Sequence, residues 1–103
     1  MKDVEDIQSR ARYSARRMSK PINFHCDAPD AKAVEIVGDF NDWQPGVHRM
    51  HRQPDGTWFL QVSLHHGHHR YRFLVDGQVM LDSKASGVGR DEQGARCSLR
   101  AVS

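Results

Sequence analysis

The amino-acid sequence predicts an all-β sandwich of about seven short strands, preceded by a short N-terminal amphipathic helix. Three observations carry this expectation. The apolar period switches from 3.6 to 2 at Pro21. Beyond it, runs rich in Val, Ile, Phe, Trp and Tyr alternate with turn clusters such as Asp27-Ala-Pro-Asp30, Pro54-Asp-Gly56 and Asp76-Gly77. The length of 103 residues, 38% hydrophobic and 27% charged, fits one domain with a modest core, and there is no internal repeat or low-complexity tract. The expected organisation is a basic helix or leader over 1–20 and a β-sandwich over 21–103.

Within residues 3–18, Val4, Ile7, Ala11, Ser14, Ala15 and Met18 recur at steps of three and four, which is one face of a helix. Asp3, Glu5 and Asp6 fall in its first turn and Arg16 and Arg17 in its last, matching the helix dipole. Pro21 limits how far it runs. The apolar stripe is thin, so three roles stay open. The segment is a solvated leader, a contact helix for a protein partner or a second copy, or a basic arm for nucleic acid or an anionic membrane.

The strands follow in order. Ile22, Phe24 and Cys26 alternate with Asn23, His25 and Asp27, so 22–27 is a half-buried strand. Residues 33–37 form a second, ending at Gly38, and 39–46 form a loop. A weak strand over 47–51 leads into the turn at 53–56, and a β-rich strand covers 57–64. Gly67 marks a tight hairpin into the strongest strand, 68–75, and Asp76-Gly77 turns the chain into a short strand over 78–81. Residues 82–94, with Ser83, Ser86, Gly87, Gly89 and Gly94, read as a polar, flexible loop. The last strand is 96–102, where Cys97, Leu99 and Ala101 alternate with Ser98 and Arg100.

Composition excludes several function classes. No apolar run approaches the roughly 20 residues of a bilayer span, and the first twenty residues lack the apolar stretch of a secretory signal. Two cysteines exclude a disulfide framework; reduced thiols in a cytoplasmic protein are expected, with a Cys26–Cys97 pairing left open. Residues 1–20 carry six Lys and Arg against three acids, whereas 21–103 carry nine against ten. The basic pI therefore belongs to the leader, and the domain has no positive stripe for nucleic acid.

The five-residue run His65-His66-Gly67-His68-His69 invites a metal interpretation. On a hairpin, however, neighbouring side chains point to opposite faces, so at most two or three imidazoles converge, and no four-ligand zinc spacing occurs. No metal or cofactor is expected. No Ser occupies a Gly-x-Ser-x-Gly elbow, and Gly87-Val-Gly89 lacks the Lys and following helix of a phosphate loop. Turn formation already explains Asp55-Gly56 and Asp76-Gly77. Nothing points to an enzyme. What remains is Gly38-Asp-Phe-Asn-Asp-Trp43. Phe40 is expected to plug the end of the sandwich. Trp43, beside Asp42, Gln44 and Pro45, is either a further core plug or an exposed platform whose flat face stacks on the C–H face of a sugar.

Taken together, Val-Glu-Ile-Val-Gly-Asp-Phe-Asn-Asp-Trp (34–43), Met50, Gly56-Thr-Trp58, Leu64-His-His-Gly67, Tyr71-Arg-Phe-Leu-Val-Asp-Gly77, Asp82 and Gly94 form an ordered series. It resembles carbohydrate-binding module family 48, the glycogen-binding domain of the AMP-activated protein kinase β subunit, and the early-set domain of isoamylases and branching enzymes. The resemblance covers about 21–103 and implies an immunoglobulin-like (early-set) sandwich that binds α-glucan without catalysis. It implies that Trp43 stacks on glucose and that Arg72 stands where the family has a hydroxyl-bonding Lys. By the same comparison Val79 replaces a second stacking Trp. Gln93 and Ala95 fall at a loop Leu and Thr, and Cys97 falls at an Asn. With one ring of two retained, binding is expected to be weak. The alternative is a protein-interaction or regulatory module that kept the sandwich, lost sugar, and uses the N-terminal helix as its contact.

Overall fold

The computed structural model describes residues 19–103. The helix expected over 3–18, with its suggested contact role, lies outside the described residues. Nine strands and one 3-10 turn make up the described chain. They form two antiparallel sheets that pack as a sandwich.

The smaller sheet is built on β1 (Lys20–Asp27), β5 (Thr57–Leu64) and β4 (His51–Arg52), in the order β1-β5-β4. In the larger sheet the order is β3 (His48–Arg49), β2 (Val34–Gly38), β6 (Gly67–Val75), β9 (Arg96–Val102) and β8 (Gly87–Arg90), with β7 (Gln78–Met80) also paired to β6. Period-2 alternation decides which side chains meet between the sheets. Phe24 and Cys26 from β1 and Trp58, Val62 and Leu64 from β5 face Val34 and Ile36 of β2 and Tyr71 and Phe73 of β6. All are buried. Their aromatic rings meet edge to face, with Phe24 and Tyr71 centroids 4.9 Å apart.

Polar atoms carried inward are satisfied. Trp58 Nε1 donates to the Ala28 carbonyl at 2.8 Å. The Tyr71 hydroxyl donates to Asp82 Oδ2 at 2.6 Å, and Ser98 Oγ accepts from the Asp82 amide at 2.8 Å. Burial, reinforced by the Asp82 carboxylate, pushes the Tyr71 phenol well above its ordinary range. Phe40 packs at the end of the sandwich, 6.2 Å from Phe24 and edge-on to His48, the plug expected of it.

Two stretches differ from the sequence expectation. The weak strand over 47–51 is two short strands that belong to opposite sheets: His48–Arg49 pairs with β2, and His51–Arg52 pairs with β5. Met50 between them is buried, and its amide donates to the Val34 carbonyl at 2.8 Å. The chain therefore crosses from one layer to the other at this residue. The loop expected over 82–94 contains β8, paired along its length with β9. Gly89 serves close packing: a Cβ there would come within 2.9 Å of Leu99 Cδ2. The described strands thus number nine rather than about seven.

Both cysteines are free and buried. Cys26 lies between the sheets, where burial and the Asp82 and Asp27 carboxylates push its thiol up to about 11. Cys97, also buried, stands outside that core cluster.

Candidate functional site

The 3-10 turn Asp39–Asn41 leaves β2 and brings Trp43 over the outer face of the larger sheet. Asn41 shapes it. Its Oδ1 accepts from the Gly38 amide at 2.9 Å, and its Nδ2 donates to the Ile36 carbonyl at 3.0 Å. Nδ2 also lies 2.9 Å from His48 Nδ1. The Trp43 amide then donates back to the Gly38 carbonyl at 2.9 Å. Gly38 is extended, so its role is spatial: a Cβ there would meet the Arg70 carbonyl at 2.6 Å and Phe40 Cε1 at 2.8 Å. Asp42 and Trp43 both adopt left-handed backbone, with φ of 54° and 58°. For side chains of this size that costs about 1 kcal/mol each, and such strain persists where neighbouring bonds over-determine the turn.

Asp39 ties the turn to β6. Its Oδ2 accepts from the Arg70 amide at 2.9 Å, and its Oδ1 lies 3.3 Å from His69 Nδ1. The other His69 nitrogen is 2.8 Å from the His65 carbonyl oxygen. His69 is thus engaged with its own hairpin and with Asp39, and among the described residues no three His, Cys, Asp or Glu side chains are grouped to hold a metal. Nor is any helix among them long and apolar enough to cross a membrane.

Arg72 is the centre of the site. Its guanidinium carbon lies 4.8 Å from the Trp43 ring centroid, within cation–π range. Nε donates to the Arg96 carbonyl at 2.9 Å, and Nη2 forms an ion pair with Asp91 Oδ2. Val37 pairs with Arg72 across β2 and β6. Cys97 precedes Ser98, the partner of Tyr71, and so falls level with Arg72 on the antiparallel strand. Both are buried outside the central core, so alternation places a small apolar floor beside the arginine.

Asp91 also shapes the β8–β9 connection. Its Oδ1 accepts from the Gln93 amide at 3.0 Å and the Ala95 amide at 2.8 Å, and its own amide donates to the Ala95 carbonyl at 2.9 Å. The Arg72 hydrogen bond, foremost, and these backbone donors hold the Asp91 carboxyl below the usual carboxylate range.

Two clefts open beside Trp43. One, about 290 Å³, is lined by Asp39, Trp43, Arg70, Arg90, Asp91 and Glu92. The other, about 480 Å³, is lined by Asp39, Asp42, Trp43, Arg72, Asp91, Glu92 and Gln93. Of the residues singled out in the sequence, Trp43, Arg72 and Gln93 come together here. Val79 lines neither cleft; it is 62% exposed on β7, opposite Leu74. Cys97 is fully buried and offers no surface to a ligand. Sequence reasoning missed Asp91, Glu92 and Asp39. The spacing of Asp91 and Gly94, a turn with Asp first and Gly fourth, was the available sign for the first of these. The arrangement presents a half-buried aromatic ring among carboxylates, an amide and guanidinium groups, a set suited to stacking and to bonding hydroxyls.

Comparison with known proteins shows the family. The family described as the glycogen recognition site of AMP-activated protein kinase matches residues 21–103. A 1,4-alpha-glucan branching enzyme GlgB 2 of Xanthomonas campestris pv. campestris (strain 8004) is 34% identical over 91 residues, 82% of this chain and 12% of that enzyme. The branching enzyme GlgB of Lactiplantibacillus plantarum is 44% identical over 61 residues, 56% of this chain and 10% of the enzyme. That of Dechloromonas aromatica is 41% identical over 71 residues, 64% of this chain and 11% of the enzyme. The chain thus spans about an eighth or less of the branching enzymes it matches. It belongs to the family of the glycogen recognition site of AMP-activated protein kinase, the carbohydrate-binding module 48 type.

Proposed function

We propose that this chain is a non-catalytic module that binds α-glucan of the glycogen or starch type through Trp43. The observation that supports it most directly is the Trp43–Arg72 stack between two clefts. One ring face is covered by the guanidinium, and the other is the face on which a glucose unit stacks. The Gln93 amide donates to or accepts from its hydroxyls, and the carboxylates of Asp42 and Glu92 accept from them. Four acids line these clefts against three arginines, a balance that suits a neutral polymer better than an anionic one.

In this reading the sandwich is of the immunoglobulin-like early-set type, and binding is weak because Val79 stands where a second stacking ring would. The two free thiols suit a reducing compartment and a cytoplasmic location. The test is co-sedimentation with glycogen, together with calorimetry on maltoheptaose, for the native protein and Trp43→Ala. Saturable binding that disappears in the variant is the expected result. Binding that Trp43→Ala leaves intact, or none at millimolar sugar, overturns the assignment.

A further inference from the structure

The opposite face of the sandwich carries a second aromatic surface that the Trp43 site does not use. On the outer side of the smaller sheet, Phe59 of β5 pairs in register with His25 of β1 on one side and His51 of β4 on the other. The three rings therefore form a row across three adjacent strands, about 10 Å long at the usual strand spacing. The His25 and Phe59 centroids are 5.1 Å apart, inclined at 50°. Both histidines are exposed and Phe59 is half-buried, so the row is open to solvent.

Beside it lies a cleft of about 490 Å³ lined by His25, Gln53, Pro54, Asp55, Thr57 and Phe59. No Lys or Arg is among these residues, so the cleft carries no permanent positive charge to favour an anionic ligand. Its polar groups are an amide, a hydroxyl, an imidazole and one carboxylate. Asp55 Oδ1 accepts from the Thr57 amide at 2.9 Å and from the Thr57 hydroxyl at 2.7 Å. This fixes the carboxylate and leaves Oδ2 as an acceptor. An aromatic floor with a rim of acceptors and an amide matches a neutral polyhydroxylated ring: the floor takes its C–H face, the rim its hydroxyls.

We propose that the His25–Phe59–His51 row and its cleft are a second α-glucan platform, independent of Trp43. The ligand class rests on the α-glucan reading of the Trp43 site; the location does not. The two platforms stand on the outer faces of opposite sheets and point away from each other. They therefore engage two chains of a branched polymer, and joint engagement raises avidity without any new contact.

The test is an amide-resolved NMR titration with β-cyclodextrin of the native protein, Trp43→Ala and Phe59→Leu, the last keeping volume while removing the ring. The native protein is expected to show two separate groups of shifts, one around 39–43, 70–72 and 90–93 and one around 25, 51 and 53–59. Trp43→Ala should keep the second group. Phe59→Leu should keep the first, which also reports that it is folded, and weaken the second about tenfold or more. Shifts confined to the Trp43 side, or a second group indifferent to Phe59→Leu, overturn the second platform while leaving the first. Shifts nowhere at millimolar sugar overturn both.

Discussion

The Arg72 guanidinium lies 4.8 Å from the centre of the Trp43 ring and is held there by Asp91 and the Arg96 carbonyl. One face of the ring is thus covered by a guanidinium whose position is set by an ion pair anchored on a different hairpin. A lysine keeps the charge but lacks the planar fork that reaches both partners while stacking. Arg72→Lys is expected to lower affinity for maltoheptaose about 3- to 10-fold, and Arg72→Ala to lower it further. Calorimetry measures this, with thermal melts separating it from loss of fold.

The same ion pair makes stability depend on pH in a definite sense. Arg72 holds the Asp91 carboxyl below its unfolded value of about 3.9. A depressed carboxylate contributes stability that is fully present above the unfolded value and is lost as pH falls through the folded one. The melting temperature should therefore be flat above about pH 5 on this account and decline below about pH 4. Asp91→Asn should be less stable at neutral pH and show a shallower acid decline. Asp55, held low by the Thr57 hydroxyl, contributes in the same window and remains in that variant. Melts across the acid range for both proteins test the difference.

On the proposed function, placing an aromatic on β7 should strengthen sugar binding. Val79 is 62% exposed, and its register partner Leu74 shares the outer face with Arg72. Stacking of a ring on a planar ligand is worth about 1–3 kcal/mol on the scale known for bases, so Val79→Trp is expected to raise maltoheptaose affinity about tenfold or more. An unchanged dissociation constant would place β7 outside the sugar-binding surface.

Gly38 tests the turn that carries Trp43. An added methyl meets the Arg70 carbonyl at 2.6 Å and Tyr71 Cβ at 2.9 Å, neither of which can yield without moving β6. Gly38→Ala is expected to destabilise by about 2–3 kcal/mol, the upper part of the range for an overpacked core. In a domain of this size that lowers the melting temperature by about 10 °C or more, read by calorimetry or circular dichroism.

Much of this architecture is legible along the chain. The alternation of Ile22, Phe24 and Cys26, and of Tyr71 and Phe73 against Arg70 and Arg72, marks strand faces without any knowledge of partners, since period 2 is a local property of extended backbone. Asp76-Gly77 marks its hairpin for the same reason: Asp76 and Gly77 both take positive φ, which few residue pairs adopt readily. Trp43 is legible as a large aromatic in a polar loop. Asp91 is not, because an acid in a Gly-containing stretch has the composition of any solvated turn, and only the folded chain brings Arg72, nineteen residues away, against it. The Phe59 row escaped notice for a related reason. Phe59 sits in a continuous β-rich run, and its neighbour His25 comes from a strand far off in sequence, while His51 reaches it only once the 53–56 turn pairs β4 with β5.

By itself, then, the sequence determined the all-β class, the principal strands, the turns between them, and the family to which residues 21–103 belong. The tertiary structure decided which strands share a sheet, that residues 48–52 divide between both layers at Met50, and that the glycine-rich 87–90 pairs with β9. It also decided that Arg72 is fastened over Trp43 rather than free. The division has one physical cause. Periodicity and turn propensity act over a few bonds, whereas sheet pairing, packing against Leu99 and the Arg72–Asp91 ion pair depend on groups that only chain closure brings within reach.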